Sequence, residues 1–486
     1  MIYHSTRNNK LTASASEAIL KGIAPDGGLY VPDNIPKLEK SFGQLAKMDY
    51  NSLAYEVMKL FFDDFTEEEL KIAINRAYNP ENFDHEDMVC LVQADDAYYL
   101  ELFHGRTIAF KDMALSILPY LMLASAKKNN VKEDIIILTA TSGDTGKAAL
   151  AGFDSVPGTG IVVFYPKDGV SRVQERQMVT QPGENTHVIG IRGNFDDAQR
   201  EVKKAFTDEA LAAGMLERGY RFSSANSINI GRLVPQIVYY VYAYTRLCPK
   251  EINFVVPTGN FGNILAAYYA YRMGVPVHRL ICASNENKVL YDFFKDGIYD
   301  RNREFVLTSS PSMDILISSN LERLVAELAG DKTAELMEDL KTSGRYELPE
   351  NARRKEALAL FEGEFATEEE MSARIKELYE KEGYILDPHT AVASAAYEKY
   401  RKETGDDTCT VIASTASPYK FTRAVLTSID PRYAGVDDFE LFRELEKLSG
   451  IPVPKAIKDI INAPVKHDTV CDRDKLIEEI EKIYLK

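Results

Sequence analysis

The stretch that decides the fold is Ile135-Ile136-Ile137-Leu138, followed by TATSGDTG (139–146) and KAALAGF (147–153). A short β-branched run, a loop of small polar residues and an alanine-rich segment predict a buried strand, a turn and a helix. The same pattern is repeated along the rest of the chain, with apolar runs at 161–165, 188–191, 254–256, 280–283 and 411–413. Near-continuous apolar strands that alternate with helices are typical of parallel sheets covered on both faces, so we predict an α/β fold.

The length of 486 residues exceeds what one hydrophobic core commonly serves, so two or three domains are expected. The first 95 or so residues are of mixed texture, and we predict an N-terminal α+β domain over 1–95. A smaller α/β domain is predicted over 96–245 and a larger one over 246–486. Residues 321–382 are highly charged and show no strand signal, which predicts a helical insertion in the larger domain.

The composition narrows the class of protein. The formal net charge of −16 argues against nucleic acid or an anionic membrane as a partner, although a small anionic substrate needs only a few local cations. No apolar run approaches the roughly 18 to 20 residues of a membrane span, and MIYHSTRNNK (1–10) lacks a signal-peptide core. The five scattered cysteines include no C-x-x-C, which is typical of reduced thiols without a disulfide or zinc site. We therefore expect a cytoplasmic protein.

PTGNFGN (257–263) lies between a predicted strand and a predicted helix and contains two glycines. Its backbone N–H groups and the helix dipole are suited to holding a phosphate without a lysine. A tight turn capped by Asn263 explains the same residues and stays open as an alternative. The loop matches neither G-x-G-x-x-G nor the P-loop pattern, which disfavours a dinucleotide or ATP.

Two further loops follow predicted strands. TATSGDTG (139–146) contains four hydroxyls and two glycines, more than helix capping explains, and is suited to a carboxylate or a phosphate. STASP (414–418) by itself is an ordinary small polar loop. In parallel α/β sheets such loops gather at the carboxyl ends of the strands, where ligands bind.

Lys111 lies in TIAFKDMAL (107–115), among apolar residues and near a predicted helix start. The ordinary lysine pKa of about 10.4 leaves roughly one amine in 2,500 neutral at pH 7, so a nucleophilic lysine needs a lowered pKa. Burial and a helix N-terminus are able to lower that pKa by about 3. The alternative is an amphipathic lysine whose amine reaches solvent, which is the usual case.

Six segments together resemble the threonine synthase family, in its longer bacterial and fungal type, among the fold-type-II pyridoxal-phosphate enzymes. They occur in the family's order, as follows: APDGGLYVP (24–32), ELFHGRTIAFKDM (101–113), TATSGDTGKAA (139–149), SSANSINIGRL (223–233), PTGNFGN (257–263) and STASPYKF (414–421). The resemblance implies pyridoxal 5′-phosphate as the cofactor. It also implies two three-layer parallel-sheet domains of the fold-type-II kind, with the cofactor lysine in the segment 96–245.

The resemblance implies a role for each matching residue. Lys111 would carry the cofactor as a Schiff base and move protons at the substrate Cα and Cβ. Thr415 would hydrogen-bond the pyridine nitrogen. A neutral hydroxyl, unlike a carboxylate, would not keep this nitrogen protonated, so the cofactor ring would withdraw electrons less strongly. The residues that would hold the cofactor phosphate are Gly259, Asn260, Phe261, Gly262 and Asn263. The implied substrate-binding residues are Ser142, Gly143, Asp144 and Thr145 for the carboxylate, with Asn226, Ser227 and Arg232 assigned by position to the substrate phosphate.

The implied reaction converts O-phosphohomoserine and water to threonine and phosphate, through loss of the γ-phosphate and addition of water at Cβ. Water has to be excluded until the elimination is complete, so closure of the domains over the cofactor is expected. This small molecule is the expected partner, and the chain is expected to be a monomer or a homodimer.

Two positions depart from the family pattern. Arg106 follows Gly105 where the family usually has proline, and Ser417 stands where it usually has histidine. Neither change touches Lys111 or Thr415, so both bear on substrate detail rather than on the cofactor.

The seven histidines form no metal-ligand pattern with cysteines or carboxylates, and no metal is expected. His104 and His389 are interpreted as structural histidines. A minor supporting role is allowed for His104, because it lies in the lysine motif.

Two other functions stay open. Another fold-type-II lyase or dehydratase, acting on a hydroxy- or phospho-amino acid, would share the lysine and the phosphate loop; the long N-terminal region favours the threonine synthase family over it. A non-catalytic protein that binds a phosphorylated metabolite would keep the glycine loops but would have no need of a lysine in an apolar setting.

Overall fold

The computed structural model describes residues 1–141 and 143–486. Ser142, one of the predicted substrate-binding residues, lies outside the described residues. The strands of the described residues are, in chain order, β1 (Tyr3–Ser5), β2 (Thr12–Ala13), β3 (Tyr30–Pro32), β4 (Cys90–Ala94), β5 (Ala97–Glu101), β6 (Asp134–Ala140), β7 (Thr159–Pro166), β8 (Thr186–Arg192), β9 (Tyr220–Ser223), β10 (Ile252–Pro257), β11 (Val277–Ser284), β12 (Ile298–Asp300), β13 (Arg345–Glu347), β14 (Phe361–Phe365), β15 (Thr410–Ser414) and β16 (Val470–Asp472).

The α-helices of the same residues are α1 (Ala15–Lys21), α2 (Phe42–Leu45), α3 (Tyr50–Met58), α4 (Glu67–Ala77), α5 (Asp112–Leu115), α6 (Leu118–Lys128), α7 (Asp144–Phe153), α8 (Arg172–Val179), α9 (Phe195–Thr207), α10 (Glu209–Glu217), α11 (Ile230–Leu247), α12 (Gly262–Met273), α13 (Val289–Asp296), α14 (Leu321–Ala329), α15 (Thr333–Thr342), α16 (Glu350–Arg353), α17 (Glu356–Ala359), α18 (Glu368–Glu382), α19 (Pro388–Thr404), α20 (Thr422–Ile429), α21 (Asp438–Ser449), α22 (Lys455–Ile461) and α23 (Leu476–Tyr484). Within residues 1–141 and 143–486, none of these helices combines the length and the apolar character that a membrane crossing requires.

A six-stranded sheet organises the larger α/β unit, in the order β14-β11-β10-β15-β5-β4. Its neighbouring strands are parallel except for the antiparallel pair β4 and β5. Val255 in the central strand β10 stands opposite Ile281 of β11 and Ile412 of β15. These three strands confirm the prediction made from their apolar runs.

Successive residues of these central strands enter two different cores. Val255, Ile281 and Ile412 pack with the apolar residues of α18, α19 and α20 on one face. Phe254 and Val256 point the other way, into the core that the sheet shares with α11 and α12. Burial on both faces explains why these runs are almost wholly apolar.

A five-stranded sheet, β16-β8-β7-β6-β9, is parallel throughout. In β6, Ile135 and Ile137 enter the core that includes α11, whereas Ile136 and Leu138 enter a separate core with α9, α10 and α23. The chain therefore has an α/β fold with two largely parallel sheets, each covered on both faces, and the predicted fold class is confirmed.

The region 321–382 is not wholly helical, so the prediction of a helical insertion without strands is wrong in this detail. β14 (361–365) is the edge strand of the six-stranded sheet and runs parallel to β11. Its sequence, FEGEF, alternates apolar and acidic residues, as is common at sheet edges, where charge opposes further pairing. A strand of this kind has no continuous apolar run, so its sequence does not indicate a strand.

The two large sheets do not follow the domain boundaries predicted at about residues 95 and 245, because each sheet includes strands from beyond them. β4 and β5 join the larger sheet across the first division, and β16 joins the smaller sheet from the far end of the chain. β1, β2 and β3 form an antiparallel sheet of their own near the N-terminus. The domains 1–95, 96–245 and 246–486 remain a proposal, in which β4, β5 and β16 each pair in the sheet of another domain.

Candidate active site

Three loops meet where inner strands of the larger sheet reach their carboxyl ends. β5, β15 and β10 are neighbouring parallel strands, so the segments that follow them leave the sheet on the same side. The segment after β5 contains Lys111, and the N–H of Phe110 donates to the carbonyl of Thr415 at 2.8 Å. A bridge between Ala109 and Ala416 lies beside this bond. The predicted cofactor lysine and the predicted pyridine partner therefore lie on adjoining segments.

Lys111 is buried at the start of α5, with 9% of its surface exposed. Its Nζ donates to Oγ of Ser312 at 2.8 Å and lies 3.6 Å from Oδ2 of Asp144. The Ser312 hydroxyl in turn donates to the same carboxylate oxygen at 3.2 Å. The amine is therefore held inside the protein, and the solvent-reaching alternative for Lys111 does not apply.

Asp144 begins α7 and faces two lysines. Its Oδ2 faces Lys111, whereas its Oδ1 lies 3.4 Å from Nζ of Lys420 and accepts from Nε2 of Gln174 at 3.1 Å. A carboxylate in this setting repels another carboxylate. Any contact of Asp144 with a substrate carboxylate would therefore come from its backbone N–H.

The electrostatics of the two groups follow from their burial. Burial lowers the pKa of Lys111; the Asp144 carboxylate opposes this, and the cations of Lys420 and Arg232 add to it. For Asp144, burial alone would raise the pKa, but the ammonium groups of Lys420 and Lys111 outweigh it and hold that pKa well below its usual range. The site therefore combines a carboxylate that is ionised near neutral pH with an amine that loses its proton more readily than an exposed lysine.

The loop after β10 presents unpaired donors at the start of α12. Within the described part of the chain, no protein acceptor is found for the backbone N–H groups of residues 259–263. A Cβ at Gly259 would stand 2.3 Å from the carbonyl oxygen of Ser312, and Phe261 has a left-handed φ of 64° that turns the chain into the helix. Free N–H groups at a helix N-terminus are suited to a phosphate.

The two asparagines brace this loop from behind. Oδ1 of Asn263 accepts from the hydroxyls of Tyr239 at 2.5 Å and Tyr240 at 2.6 Å. The carbonyl of Asn260 accepts from Nδ2 of Asn320 at 2.9 Å. Asn263 is thus the second residue of α12 and not the capping residue that the alternative interpretation requires.

Thr415 and Ser417 follow β15. The backbone N–H of Thr415 donates to Oγ1 of Thr390 at 3.2 Å, and its own hydroxyl makes no hydrogen bond with the described residues. Ser417 is buried; its N–H donates to the carbonyl of Ile108 at 3.0 Å, and its Oγ accepts from the N–H of Tyr419 at 3.3 Å. Ser417 therefore caps a short turn, and the hydroxyl of Thr415 is available to a ligand.

His389 supports the site, although the sequence analysis treats it as a structural histidine. Its Nε2 accepts from the backbone N–H of Ser312 at 3.2 Å, and its Nδ1 lies 2.9 Å from Oδ1 of Asp387. Because Nε2 is an acceptor here, the ring proton is assigned to Nδ1, which donates to Asp387. The histidine thereby fixes the residue that contacts Lys111.

The loop before α7 is held by its own threonine. Oγ1 of Thr141 accepts from the N–H of Gly143 at 3.0 Å and of Gly146 at 2.9 Å. Gly143 has a φ of 139°, and a Cβ there would stand 2.4 Å from Nε2 of Gln174, so glycine is required. Thr145 lies in the first turn of α7 and is half-buried.

Arg232 is buried in α11 without a carboxylate partner among the described residues. One Nη donates to the carbonyl of Ala225 at 3.0 Å, and Nε finds no partner in the described part of the chain. Burial lowers its pKa to about 10. Asn226 is exposed and Ser227 half-buried, and no hydrogen bond of the described residues links either one to Lys111.

The motif around Lys111 also contains residues that lie apart from this centre. His104 binds Oδ1 of Asp84 through Nδ1 at 2.8 Å and Oε2 of Glu101 through Nε2 at 3.1 Å. Arg106 is exposed, and its guanidinium donates to the carbonyl of Ala151 at 3.3 Å. Neither side chain contacts Lys111 in the structure.

Sequence reasoning misses three residues of the site: Lys420, Ser312 and Gln174. Lys420 lies inside STASPYKF, but a single lysine in a polar segment is ordinarily exposed. Ser312 and Gln174 reach the site only through long-range packing, and no local signal marks them.

These residues fit a pyridoxal phosphate. The N–H groups of 259–263 are suited to its phosphate, Lys111 to its aldehyde carbon and the free hydroxyl of Thr415 to its ring nitrogen. Within residues 1–141 and 143–486, no cluster of three histidine, cysteine or acidic side chains is arranged to hold a metal ion.

Three family models match the chain. They describe the threonine synthase N terminus (residues 2–78), a pyridoxal-phosphate dependent enzyme (93–415) and the threonine synthase C-terminal region (390–474). The chain is 36% identical to threonine synthase of Saccharomyces cerevisiae over 100% of this chain and 99% of that one. It is 40% identical to threonine synthase of Pseudomonas aeruginosa over 87% and 90% of the two chains.

Solved structures agree with these relatives. The crystal structure of PLP-bound threonine synthase from Brucella melitensis is 34% identical, covers 100% of this chain and 99% of its own, and superposes with a TM-score of 0.86. Because the chain matches three family models and aligns with such proteins over its full length, it has their fold and cofactor. The chain therefore belongs to the threonine synthase family of pyridoxal-phosphate-dependent lyases.

Proposed function

We propose that the chain converts O-phosphohomoserine and water to threonine and inorganic phosphate at the edge where β5, β15 and β10 end. The observation that carries this proposal is the burial of Lys111 against Ser312 and Asp144, beside a loop of free N–H groups. Pyridoxal phosphate, when bound, supplies an electron sink for negative charge that develops at the substrate Cα. The protein supplies the positioning and the proton transfers.

Lys111 is the proposed attachment point of the cofactor, through a Schiff base, and the base that removes and returns protons at the substrate Cα and Cβ. Its lowered pKa supports this role, because more of the amine is neutral near pH 7 than in an exposed lysine. The N–H groups of 259–263 hold the cofactor phosphate, and the hydroxyl of Thr415 meets its ring nitrogen.

Arg232 is the proposed partner of the anionic substrate. A buried guanidinium without a carboxylate is costly unless an anion compensates it, and this one is close enough to Lys111 to lower its pKa. Asn226 and Ser227 stay as proposed contacts of the substrate phosphate. Gly143 and Thr145, with the backbone of Asp144, are proposed for the substrate carboxylate, and Ser142 keeps the same sequence-based assignment.

The test is a stoichiometric assay with the purified holoprotein. We expect threonine and phosphate to appear one to one from O-phosphohomoserine, and neither to appear with the K111A variant. Release of ammonia and an oxo acid from serine or threonine, without phosphate release from O-phosphohomoserine, would identify a dehydratase instead. Borohydride reduction followed by peptide mapping should place a pyridoxyl group on Lys111.

We further propose a cytoplasmic monomer or homodimer. All five cysteines are free, which supports a reducing compartment. Light scattering of the purified protein distinguishes the two assemblies.

A further inference from the structure

Lys420 is a second buried lysine beside Lys111, and its side chain has no exposed surface. It is the last residue of the short turn after β15, and its Nζ donates to the carbonyl of Thr107 at 2.9 Å and lies 3.4 Å from Oδ1 of Asp144. A fully buried ammonium group is costly unless a carboxylate compensates it, and Asp144 is the carboxylate within ion-pair distance among the described residues.

Asp144 divides its two oxygens between the two lysines. Oδ1 faces Lys420, while Oδ2 accepts from the hydroxyl of Ser312, which in turn accepts from Lys111. The single hydroxyl proton of Ser312 is directed to Asp144, so its lone pair faces the amine. A continuous chain of polar contacts therefore runs from Lys420 through Asp144 and Ser312 to Lys111.

Two ammonium groups share one carboxylate in this chain. If Lys420 were absent, Asp144 would balance Lys111 alone, and the ammonium form of Lys111 would be stabilised. With Lys420 in place, Asp144 keeps a counter-ion whatever the charge on Lys111. Lys111 is therefore able to lose its proton while the buried carboxylate of Asp144 still has Lys420 as its counter-ion.

We propose that Lys420 is a positioning residue that keeps Asp144 ionised and oriented, so that Asp144, through Ser312, sets the orientation of the Lys111 amine and the pH at which it reacts. This inference rests on the proposed role of Lys111 as the cofactor lysine. The charged and titratable groups around the chain of contacts are Asp144 on α7, Lys420 after β15, Arg232 on α11, His389 on α19, Asp112 on α5 and Lys147 on α7.

The experiment measures how fast the stripped protein takes up pyridoxal phosphate between pH 6.5 and 10, followed by its visible band. Only the neutral Lys111 amine reacts, so the midpoint of the profile reports its proton affinity. We expect K420M to move the midpoint up by about one pH unit, which slows uptake at pH 7 about tenfold. D144N should move it down, because the remaining cations of Lys420 and Arg232 then act on Lys111 unopposed.

The controls separate charge from packing. K420R keeps the charge and should keep the midpoint near that of the wild type. K455M removes a lysine that is 85% exposed and should leave the profile unchanged. A K420M midpoint equal to that of the wild type, or shifts in the same direction for K420M and D144N, would overturn the proposal.

A second comparison serves if K420M does not fold. K420M/D144N removes both members of the buried pair and avoids leaving either charge alone. We expect its midpoint to lie above that of D144N, and equal midpoints would overturn the proposal. Peptide mapping after borohydride is done first: a pyridoxyl group on another lysine refutes the proposed function itself, not only the role of Lys420.

Discussion

The backbone N–H of Ser312 donates to Nε2 of His389 at 3.2 Å, so a histidine on α19 fixes the position of a serine that contacts Lys111, the proposed cofactor lysine. The ring is held in turn by Asp387 at the start of the same helix. The placement of the Lys111 amine therefore depends on His389 and Asp387, which are far from it in sequence and do not touch it.

Replacing His389 tests this dependence. H389A removes the acceptor of the Ser312 N–H, and we expect a loss of unfolding free energy of about 1–3 kcal/mol, with a lower kcat. H389Q retains an acceptor on a side chain of similar reach and should recover part of both. Denaturant unfolding and steady-state kinetics measure the two effects. Equal kcat in H389A and the wild type would show that Ser312 does not need the histidine.

Removing Lys111 should abolish turnover while sparing the fold. The K111M variant leaves Asp144 paired with Lys420, so no buried carboxylate is stranded. We expect activity to fall by about 10³-fold or more, since Lys111 is the proposed proton carrier, and the melting temperature to stay close to that of the wild type. A K111M protein that unfolds at room temperature would contradict the counter-ion role of Lys420.

The two glycines of the loop 257–263, the proposed phosphate site, form a matched pair. A Cβ at Gly259 would stand 2.3 Å from the Ser312 carbonyl, whereas one at Gly262 would stand 3.4 Å from Nδ2 of Asn320. G259A should displace the loop and weaken pyridoxal-phosphate binding about tenfold or more. G262A should change that affinity by less than about threefold. Titration of the stripped variants with cofactor gives both constants, and similar losses in the two variants would argue against the steric explanation.

The ion pairs of His104 predict a pH-dependent contribution to stability. Burial would lower its pKa, but the hydrogen bonds that the ring donates to Asp84 and Glu101 outweigh this and raise the pKa to about 9. A pKa raised in the folded state stabilises the protein fully below the unfolded value of about 6.5, and that stability is lost as the pH rises through 9. The difference in melting temperature between the wild type and H104Q should therefore shrink from pH 6.5 to pH 9.5. A difference that does not vary with pH would show that the imidazole acts by packing alone.

The sequence predicts the centre of the fold well and its edges poorly. β6, β7 and β10 are buried on both faces, so their β-branched runs identify them directly. β14 lies at a sheet edge, where only one side needs apolar residues and charge is useful, so its five residues resemble a loop.

The same contrast holds in the site. The glycine loop and Lys111 are visible in the sequence because their chemistry is local: free N–H groups beside a helix, and an amine in an apolar segment. The carboxylate of Asp144 comes together with Lys420, in the turn after β15, and with Ser312, in a separate loop, only in the folded protein. The spacing of these residues along the chain therefore does not predict their contacts.

The place of β16 in the smaller sheet also has a consequence for synthesis. This strand pairs with β8, yet four strands of the larger sheet, β10, β11, β14 and β15, are translated between the two. During translation the side of β8 that later pairs with β16 therefore stays open after β7 has paired with the other side, and an open parallel edge is a place where unfinished chains associate. The smaller sheet is complete only when β16 has left the ribosome, so we expect folding yield in the cell to depend on protection of this edge until then.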